Sequence, residues 1–426
     1  MDQKLRVFLA NDSFPPQIDG VANTVINYAK IIEKQYGTSM VAVPSYPDVK
    51  DEYDFEVVRY PSLHTEKLVG YRSGNPFTPV AMKKMSDFTP DIIHSHCPFS
   101  SSCLCRELRD VAEAPLVFTY HTKFDIDIRR ALKLGIMQDV ALKFIMDNIS
   151  ASDEVWVVNR GAGQNLRSLG YNGIYRIMPN GVEFPKGRAE DDKIKALRAE
   201  LGVGDEEFVF LFVGRMLWYK GQKIILDGAK NLASKGYKFK LIFVGSGDNL
   251  ADMEKYAASL GIADICRFRG AITDRELLRV YYSMADLFIL PSVFDNNPIV
   301  CKEAAACGTA SMLIDGSSSA EGVTDGRNAL LIKESYESLA STLETAMNTP
   351  GLFETLGANA QNELYVSWDE MMRIVTQRYR DIIDAWNRGD IRRKPVITDL
   401  AYKMLGDVQT TFDILDDIIR NLPRII

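Results

Sequence analysis

In the stretch PSVFDNNPIVCKEAAACGT, Asp295 and Glu303 stand eight positions apart with a helix-start signal between them. Asn297 is a favoured N-cap type, and Pro298 suits a first helical position, where its missing N–H would be unpaired in any case. The spacing predicts a helix from Pro298 to Cys307 that stops at Gly308, with Asp295 ahead of it and Glu303 inside it. On that helix Glu303 shares a face with Ile299, Val300, Ala306 and Cys307, so an ionised group sits in an apolar stripe and needs a partner. One candidate partner is a cation in a structural ion pair. The other is a ligand: the helix N-terminus offers N–H groups and partial positive charge to a phosphate, and a carboxylate one to two turns on can accept hydrogen bonds from ribose hydroxyls. That chemistry suits a nucleoside diphosphate carrying a sugar.

A second pair of charges, Arg215 and Lys220 in VGRMLWYKG, follows the strand-like run FVFLFV at a spacing that fits one strand-to-helix turn. Two fixed cations at the oxygens of a departing diphosphate would stabilise the charge that accumulates as the bond breaks; the alternative is a pair of solvated loop charges. Gly214 and Gly221 would permit close backbone approach. In the first half, NDSFPPQIDGVANT places Gly20 and Val21 at the start of a helix whose N–H groups could face phosphate, or simply at a turn. DIIHSH and VFTYH end in histidines. His121 is expected to face ligand, and a hydrogen-bonded core histidine is the reading kept for His94. IFVGSGDNL carries Gly245 and Gly247 but has Leu250 where a dinucleotide fingerprint needs its third glycine. No HExxH and no Cys/His cluster at zinc spacing is present, and the one DxD, Asp125 to Asp127, lies in the first half, so no metal is expected.

These residues need elements to position them. KLRVFLAN, SMVAVP, DIIHSH, PLVFTYH, EVWVVN and YRIMPN are strand-like runs with helical patterns between them; FVFLFVGR, FKLIFVGSG, CRFRG, LFILPS, ASMLID and ALLI form a second series. The expected fold is α/β, with two doubly wound, Rossmann-like parallel-sheet domains binding ligand at the carboxyl ends of their strands in a central cleft. Between the series the composition turns strongly charged, placing a boundary near Val182 to Glu207. The expected domains are residues 1–190, residues 191–365, a helix over 366–389 that crosses back to the first domain, and an extension over 390–426. In that extension Leu400, Met404, Val408, Phe412, Leu415, Ile419 and Leu422 recur at helical spacing, for packing on the same chain or for a homodimer contact.

Composition is that of an ordinary globular protein: 426 residues, 46% hydrophobic, 25% charged. Fifty basic against 57 acidic residues, a net charge of -7, argue against a nucleic-acid partner. The N-terminus has no long apolar run of a signal peptide, and no run is long enough to span a bilayer. The six cysteines include no CxxC pair and read as reduced thiols, which fits a cytoplasmic location.

The acidic pair followed by Glu-Ala-Ala-Ala-Cys-Gly, the Gly-Arg then Lys-Gly arrangement, DIIHSH and TYHT together resemble retaining family-4 glycosyltransferases of the GT-B superfamily, over about residues 5 to 388. Two positions depart from the family pattern: Asp295 where Glu is usual, and Pro298 where Gly is often found. The resemblance implies metal-independent, cofactor-free transfer from a nucleotide-sugar, with Arg215 and Lys220 on the diphosphate and His121 near the transferred sugar. It places Gly20, Val21, Gly245, Gly247, Phe268, Arg269, Asp295, Asn296, Asn297, Pro298, Ile299 and Glu303 around the donor, Phe268 to Gly270 reading the base through backbone. His96, Asp125 and Asp127 would lie towards the acceptor. No second strand-end carboxylate demands a nucleophile's role, although Asp295 stays open for one. DGVANT, RYPS, DIIHSHCPF and TYHT look most like the branch that glycosylates diacylglycerol at the cytosolic membrane face. For peripheral docking, Ile128 to Ile149 offers Arg129, Arg130, Lys133 and Lys143 among apolar residues, as would a buried helix with snorkelling cations. A UDP-glucose-like donor is favoured. A soluble or polysaccharide acceptor, and a nucleotide-sugar-binding protein with impaired transfer, are the alternatives.

Overall fold

The structure is a computed structural model that describes residues 4–17, 19–65, 72–124, 128, 135–295 and 297–392. Two compact units divide the chain, Asn180–Glu370 forming one and the residues on either side the other. The strands of the first unit are β1 (Leu5–Ala10), β2 (Gly37–Pro44), β3 (Glu56–Tyr60), β4 (Ser62–Leu63), β5 (Ser73–Gly74), β6 (Ile92–Ser95), β7 (Leu116–Tyr120), β8 (Glu154–Val157) and β9 (Tyr175–Ile177). Seven make one sheet in the order β3-β2-β1-β6-β7-β8-β9, every neighbouring pair parallel; β4 and β5 pair separately. Runs such as Val7–Ala10 and Leu116–Tyr120 are buried without alternation, as strands covered on both faces must be. The sequence reading missed β3, whose EVVRY carries charges at Glu56 and Arg59 and lies at the sheet edge with solvent on part of it.

The helix Trp368–Asn387 returns the chain to this unit. Met372, Val375, Tyr379 and Ile382 recur at helical spacing and are all fully buried. Tyr379 stacks on Trp156 with ring centroids 5.5 Å apart, and Arg378 pairs with Glu154.

The second unit holds β10 (Phe208–Val213), β11 (Phe239–Val244), β12 (Cys266–Phe268), β13 (Leu287–Leu290), β14 (Ser311–Ile314) and β15 (Ala329–Ile332). They form a six-stranded parallel sheet in the order β12-β11-β10-β13-β14-β15. Strand order reverses beside β1 in the first sheet and beside β10 in the second. In such sheets the crevice for ligand opens at the carboxyl ends of the strands flanking the reversal.

The division falls at Pro179/Asn180, ahead of the expected boundary after residue 190. Val182, Phe184 and Ala189 are buried in the second unit's core, and Val182 N–H bonds the Val366 carbonyl at 2.9 Å. The charged stretch that marked the expected boundary is the helix Asp191–Leu201, which buries Ile194, Leu197 and Leu201 and turns its charges outward. All six cysteines are free thiols.

Candidate active site

Strand β10 delivers the chain to Gly214 and Arg215, and a single 3-10 turn, Trp218–Lys220, leads into the helix Gln222–Ser234. Between turn and helix Gly221 has φ +88°, and a Cβ there would meet the Pro291 carbonyl oxygen at 2.1 Å. Only glycine allows both the left-handed backbone and that contact, which holds the loop after β10 against the loop after β13. Lys220 consequently meets Asp295: its ammonium donates to Oδ1 in an ion pair. Asp295 Oδ2 is buried and has no partner among the described residues. Arg215 is exposed, and among the described residues its guanidinium makes no ion pair or hydrogen bond. Its backbone is held from beneath, where fully buried Gln222 donates from Nε2 to the Arg215 carbonyl at 3.0 Å.

Gly245 and Gly247 brace the same loop. A Cβ on Gly245 would meet the Gly214 carbonyl oxygen at 1.9 Å, and one on Gly247 the Met216 carbonyl oxygen at 2.5 Å. Packing alone thus demands both glycines. Phe268 lies on β12, stacked on Phe243 with centroids 4.8 Å apart. Arg269 is held away from a ligand role for its side chain: Nη2 donates to Glu200 at 2.6 Å and Nε to the Tyr281 hydroxyl at 2.9 Å.

After β13 the helix runs Ile299–Ala306, one residue shorter at each end than predicted. Pro298, not Asn297, is the N-cap: its φ of -66° suits a helix, but its ψ of 117° is extended. Cys307 is the C-cap, and Gly308 at φ +74° ends the element as expected. Glu303 is only 5% exposed and has found protein partners. Arg275 Nη2 donates to Oε1 at 2.5 Å and the Tyr282 hydroxyl to Oε2 at 2.9 Å. Burial, then the Glu303 charge, raise the Tyr282 pKa well above the usual phenol range, so that hydroxyl stays a donor. Arg275 also lies 4.3 Å over the Phe184 ring and 3.3 Å from Glu183. Arg275 and Tyr282 lie 28 and 21 positions before Glu303, beyond the reach of any local pattern.

In the first unit, His94 is a core histidine, bonded by Nδ1 to the Tyr379 hydroxyl (2.6 Å) and by Nε2 to Thr119 Oγ1 (2.7 Å). His96 Nδ1 meets His121 Nε2 at 3.0 Å. His96 is 1% exposed, so its ring does not itself line an acceptor surface. The helix Gly20–Ile31 starts at Gly20, but its N-cap is Asp19, whose Oδ1 accepts from Val21 N (2.8 Å) and Ala22 N (2.7 Å). A carboxylate therefore already holds two of the first-turn donors, those of Val21 and Ala22, that the sequence reading offered to phosphate; Asp at an N-cap is the signal that reading passed over. Asn296, Asp125, Asp127, Arg129, Arg130, Lys133 and the extension beyond residue 392 lie outside the described residues.

The Lys220–Asp295 ion pair joins the loops after β10 and β13 at the strand-order reversal of one doubly wound parallel sheet, in a chain carrying a second such sheet. This is the GT-B class of glycosyltransferase, and the family comparisons agree. Residues 18–184 match the model of Glycosyltransferase Family 4 and residues 193–363 that of Glycosyl transferases group 1, so the chain belongs to the family-4 glycosyltransferases of GT-B architecture. Among similar proteins are the alpha-monoglucosyldiacylglycerol synthases of Streptococcus pneumoniae (strain ATCC BAA-255 / R6), 24% identical over 94% of this chain and 91% of the relative, and of Acholeplasma laidlawii, 22% identical over 90% and 99%. Similar folds include Anabaena Alr3699/HepE in complex with UDP-glucose (TM-score 0.70, 17% identical, covering 88% of this chain and 100% of that one). Sucrose-phosphate synthase from Thermosynechococcus elongatus is another (TM-score 0.72, 20% identical, 90% and 100%).

Proposed function

We propose that this chain is a retaining glycosyltransferase that moves a hexose from a nucleoside-diphosphate sugar, UDP-glucose or a close relative, to the hydroxyl of diacylglycerol at a cytosolic membrane face. The observation that carries the reading is the Lys220–Asp295 ion pair across the reversal between β10 and β13, with Arg215 on the loop after β10 and Glu303 on the helix after β13. The names of the similar synthases favour the lipid acceptor, and the UDP-glucose complex of a similar fold favours the donor. In the proposed reaction the bond from the anomeric carbon to the phosphate oxygen breaks as the acceptor oxygen bonds the same face. The acceptor proton passes to the departing phosphate oxygen. Arg215 and Lys220 stabilise the charge on that leaving group. Asp295 is paired with Lys220 through Oδ1, which weakens it as a nucleophile; its open Oδ2 suits a sugar hydroxyl.

The test is incubation with UDP-, GDP- and ADP-sugars against diacylglycerol vesicles and soluble saccharides, with the anomeric configuration of the product read by NMR. Retained configuration on lipid supports the proposal. Transfer only to a saccharide moves the acceptor, and donor binding with neither transfer nor hydrolysis makes the chain a nucleotide-sugar-binding protein. Chelator is expected to leave the transfer rate largely intact, since Arg215, Lys220 and the N-terminus of the helix Ile299–Ala306 supply positive field that a divalent ion would otherwise provide. Abolition by chelator and restoration by one metal would contradict that expectation.

Membrane docking is proposed on the helix Gly135–Ser150. Ile136, Met137, Val140 and Phe144 line one side of it and are 36% to 80% exposed, while Ile145, Asn148 and Ile149 face the core. Among the described residues no helix is long and apolar enough to cross a membrane. Lys143 lies on the same helix but pairs with Asp147 at 3.0 Å, which leaves the preceding Arg129, Arg130 and Lys133 as the cations to test. Co-sedimentation with anionic vesicles is expected to fall with salt, and to be lost both in an Arg129/Arg130/Lys133→Glu variant and in an Ile136/Val140/Phe144→Ser variant. Equal and negligible sedimentation of all three proteins would move the acceptor to a soluble saccharide.

A further inference from the structure

Three of the chain's four histidines, His94, His96 and His121, gather at the carboxyl ends of the neighbouring strands β6 and β7. His96 follows β6 at the reversal of the first sheet, its N–H bonded to the Ala10 carbonyl at the end of β1 (2.9 Å). All three rings are neutral at physiological pH. Burial holds His94 and His96 well below the usual imidazole range and lowers His121 to about 3. Each ring therefore carries one N–H, on one of two nitrogens, and the partner of one nitrogen decides the other's role.

His94 is indifferent, because the hydroxyls of Tyr379 and Thr119 can each donate or accept. The His96–His121 contact is not. In that bond His96 Nδ1 faces His121 Nε2 at 3.0 Å, with the ring planes within 21° of parallel. The remaining nitrogen of His96, Nε2, is buried without a partner among the described residues. If His121 were the donor, His96 would carry its proton on that buried Nε2, leaving an N–H unsatisfied. If His96 donates from Nδ1, only an unfilled acceptor is left there. Orphaned buried N–H groups are the rarer defect. His96 then donates, His121 Nε2 accepts, and the single proton of His121 sits on Nδ1. His121 keeps 9% of its surface exposed, and its Nδ1 makes no hydrogen bond within the described residues.

We infer that His96 is a positioning residue that locks His121 in its Nδ1–H tautomer, so that the ring presents an N–H donor, and not an acceptor, to an oxygen of the bound substrate. The ligand role of His121 rests on the glycosyltransferase reading above; the tautomer lock does not.

With only four histidines, long-range proton–nitrogen correlation spectra of protein labelled with 15N-histidine can assign each ring by single substitution. The wild-type spectrum is expected to show His121 protonated on Nδ1 and bare on Nε2. His96→Gln keeps an N–H donor within reach and is expected to preserve that pattern and the sugar-transfer rate. His96→Leu removes the donor; His121 should lose the pure Nδ1–H pattern, and transfer should fall about tenfold, as for one misdirected hydrogen bond to substrate. A wild-type His121 protonated on Nε2 would overturn the inference without recourse to any variant. So would a folded His96→Leu protein whose His121 pattern is unchanged. A wild-type protein with the expected pattern but no sugar transfer would refute the enzymatic reading and leave the lock standing.

Discussion

Lys220→Ala and Arg215→Ala are each expected to cut turnover on the order of a hundredfold or more, because each removes a fixed cation from charge that develops only as the diphosphate departs. Their effects on the fold should differ. Arg215 is exposed, and among the described residues its side chain has no ion pair to lose, so Arg215→Ala should melt like the wild type. Lys220 is the partner of Asp295, and its removal leaves that carboxylate, 18% exposed at the side chain, without its counter-charge. A modest drop in melting temperature should therefore accompany the loss of turnover in Lys220→Ala alone. Steady-state transfer assays and thermal unfolding by circular dichroism read the two effects separately. Near-normal turnover in both folded variants would take these residues out of the mechanism.

That asymmetry bears on what the sequence makes legible. Runs such as FVFLFV and FKLIFV announce buried parallel strands, being short, rich in aromatic and β-branched residues, and apolar enough for a sheet covered on both faces. Residues at the ends of those strands are then placed by topology, and the Lys220–Asp295 pair joins the loops that follow two such neighbouring strands, β10 and β13. Partnerships across elements are another matter. The pairing of Lys220 with Asp295 spans 75 positions, and that of Arg275 with Glu303 spans 28; neither leaves a periodic trace. Local chemistry misleads where one residue serves two uses. Gly245 and Gly247 look like a phosphate loop but are required by backbone contact with Gly214 and Met216. The charged run that marks a boundary in the sequence is the solvated face of the helix Asp191–Leu201, already inside the second unit. In IDGV the glycine draws attention, yet Asp19 takes the N–H groups of Val21 and Ala22.

Glu303→Gln is the other substitution with a large expected effect, and it divides the two roles between which the sequence could not choose. The carboxylate accepts Arg275 Nη2 on Oε1 and the Tyr282 hydroxyl on Oε2. An ionised carboxylate has about four lone-pair sites, so two remain, enough for a ribose diol. Ion pair and ligand site are thus compatible on one side chain. In the amide, the carbonyl oxygen must stay towards Arg275, since an NH2 group there would oppose another donor. The NH2 then replaces Oε2, the Tyr282 hydroxyl can turn to accept from it, and one acceptor for ribose is gone. Nucleoside diphosphate affinity should fall about tenfold, the cost of losing a hydrogen bond to a charged acceptor. The melting temperature should fall as well, but modestly, because the Arg275 side chain is 40% exposed and water can solvate what the lost charge no longer holds. Arg275→Met is the complementary variant. It leaves Glu303 buried with Tyr282 as its remaining donor among the described residues, so its main cost should be stability, with the ribose acceptors retained. Calorimetric titration and thermal unfolding of both proteins form the test. A Glu303→Gln protein that melts early but binds nucleoside diphosphate as tightly as the wild type would reduce Glu303 to the ion pair with Arg275, and the ribose would have to be held by some other group at the carboxyl end of the sheet.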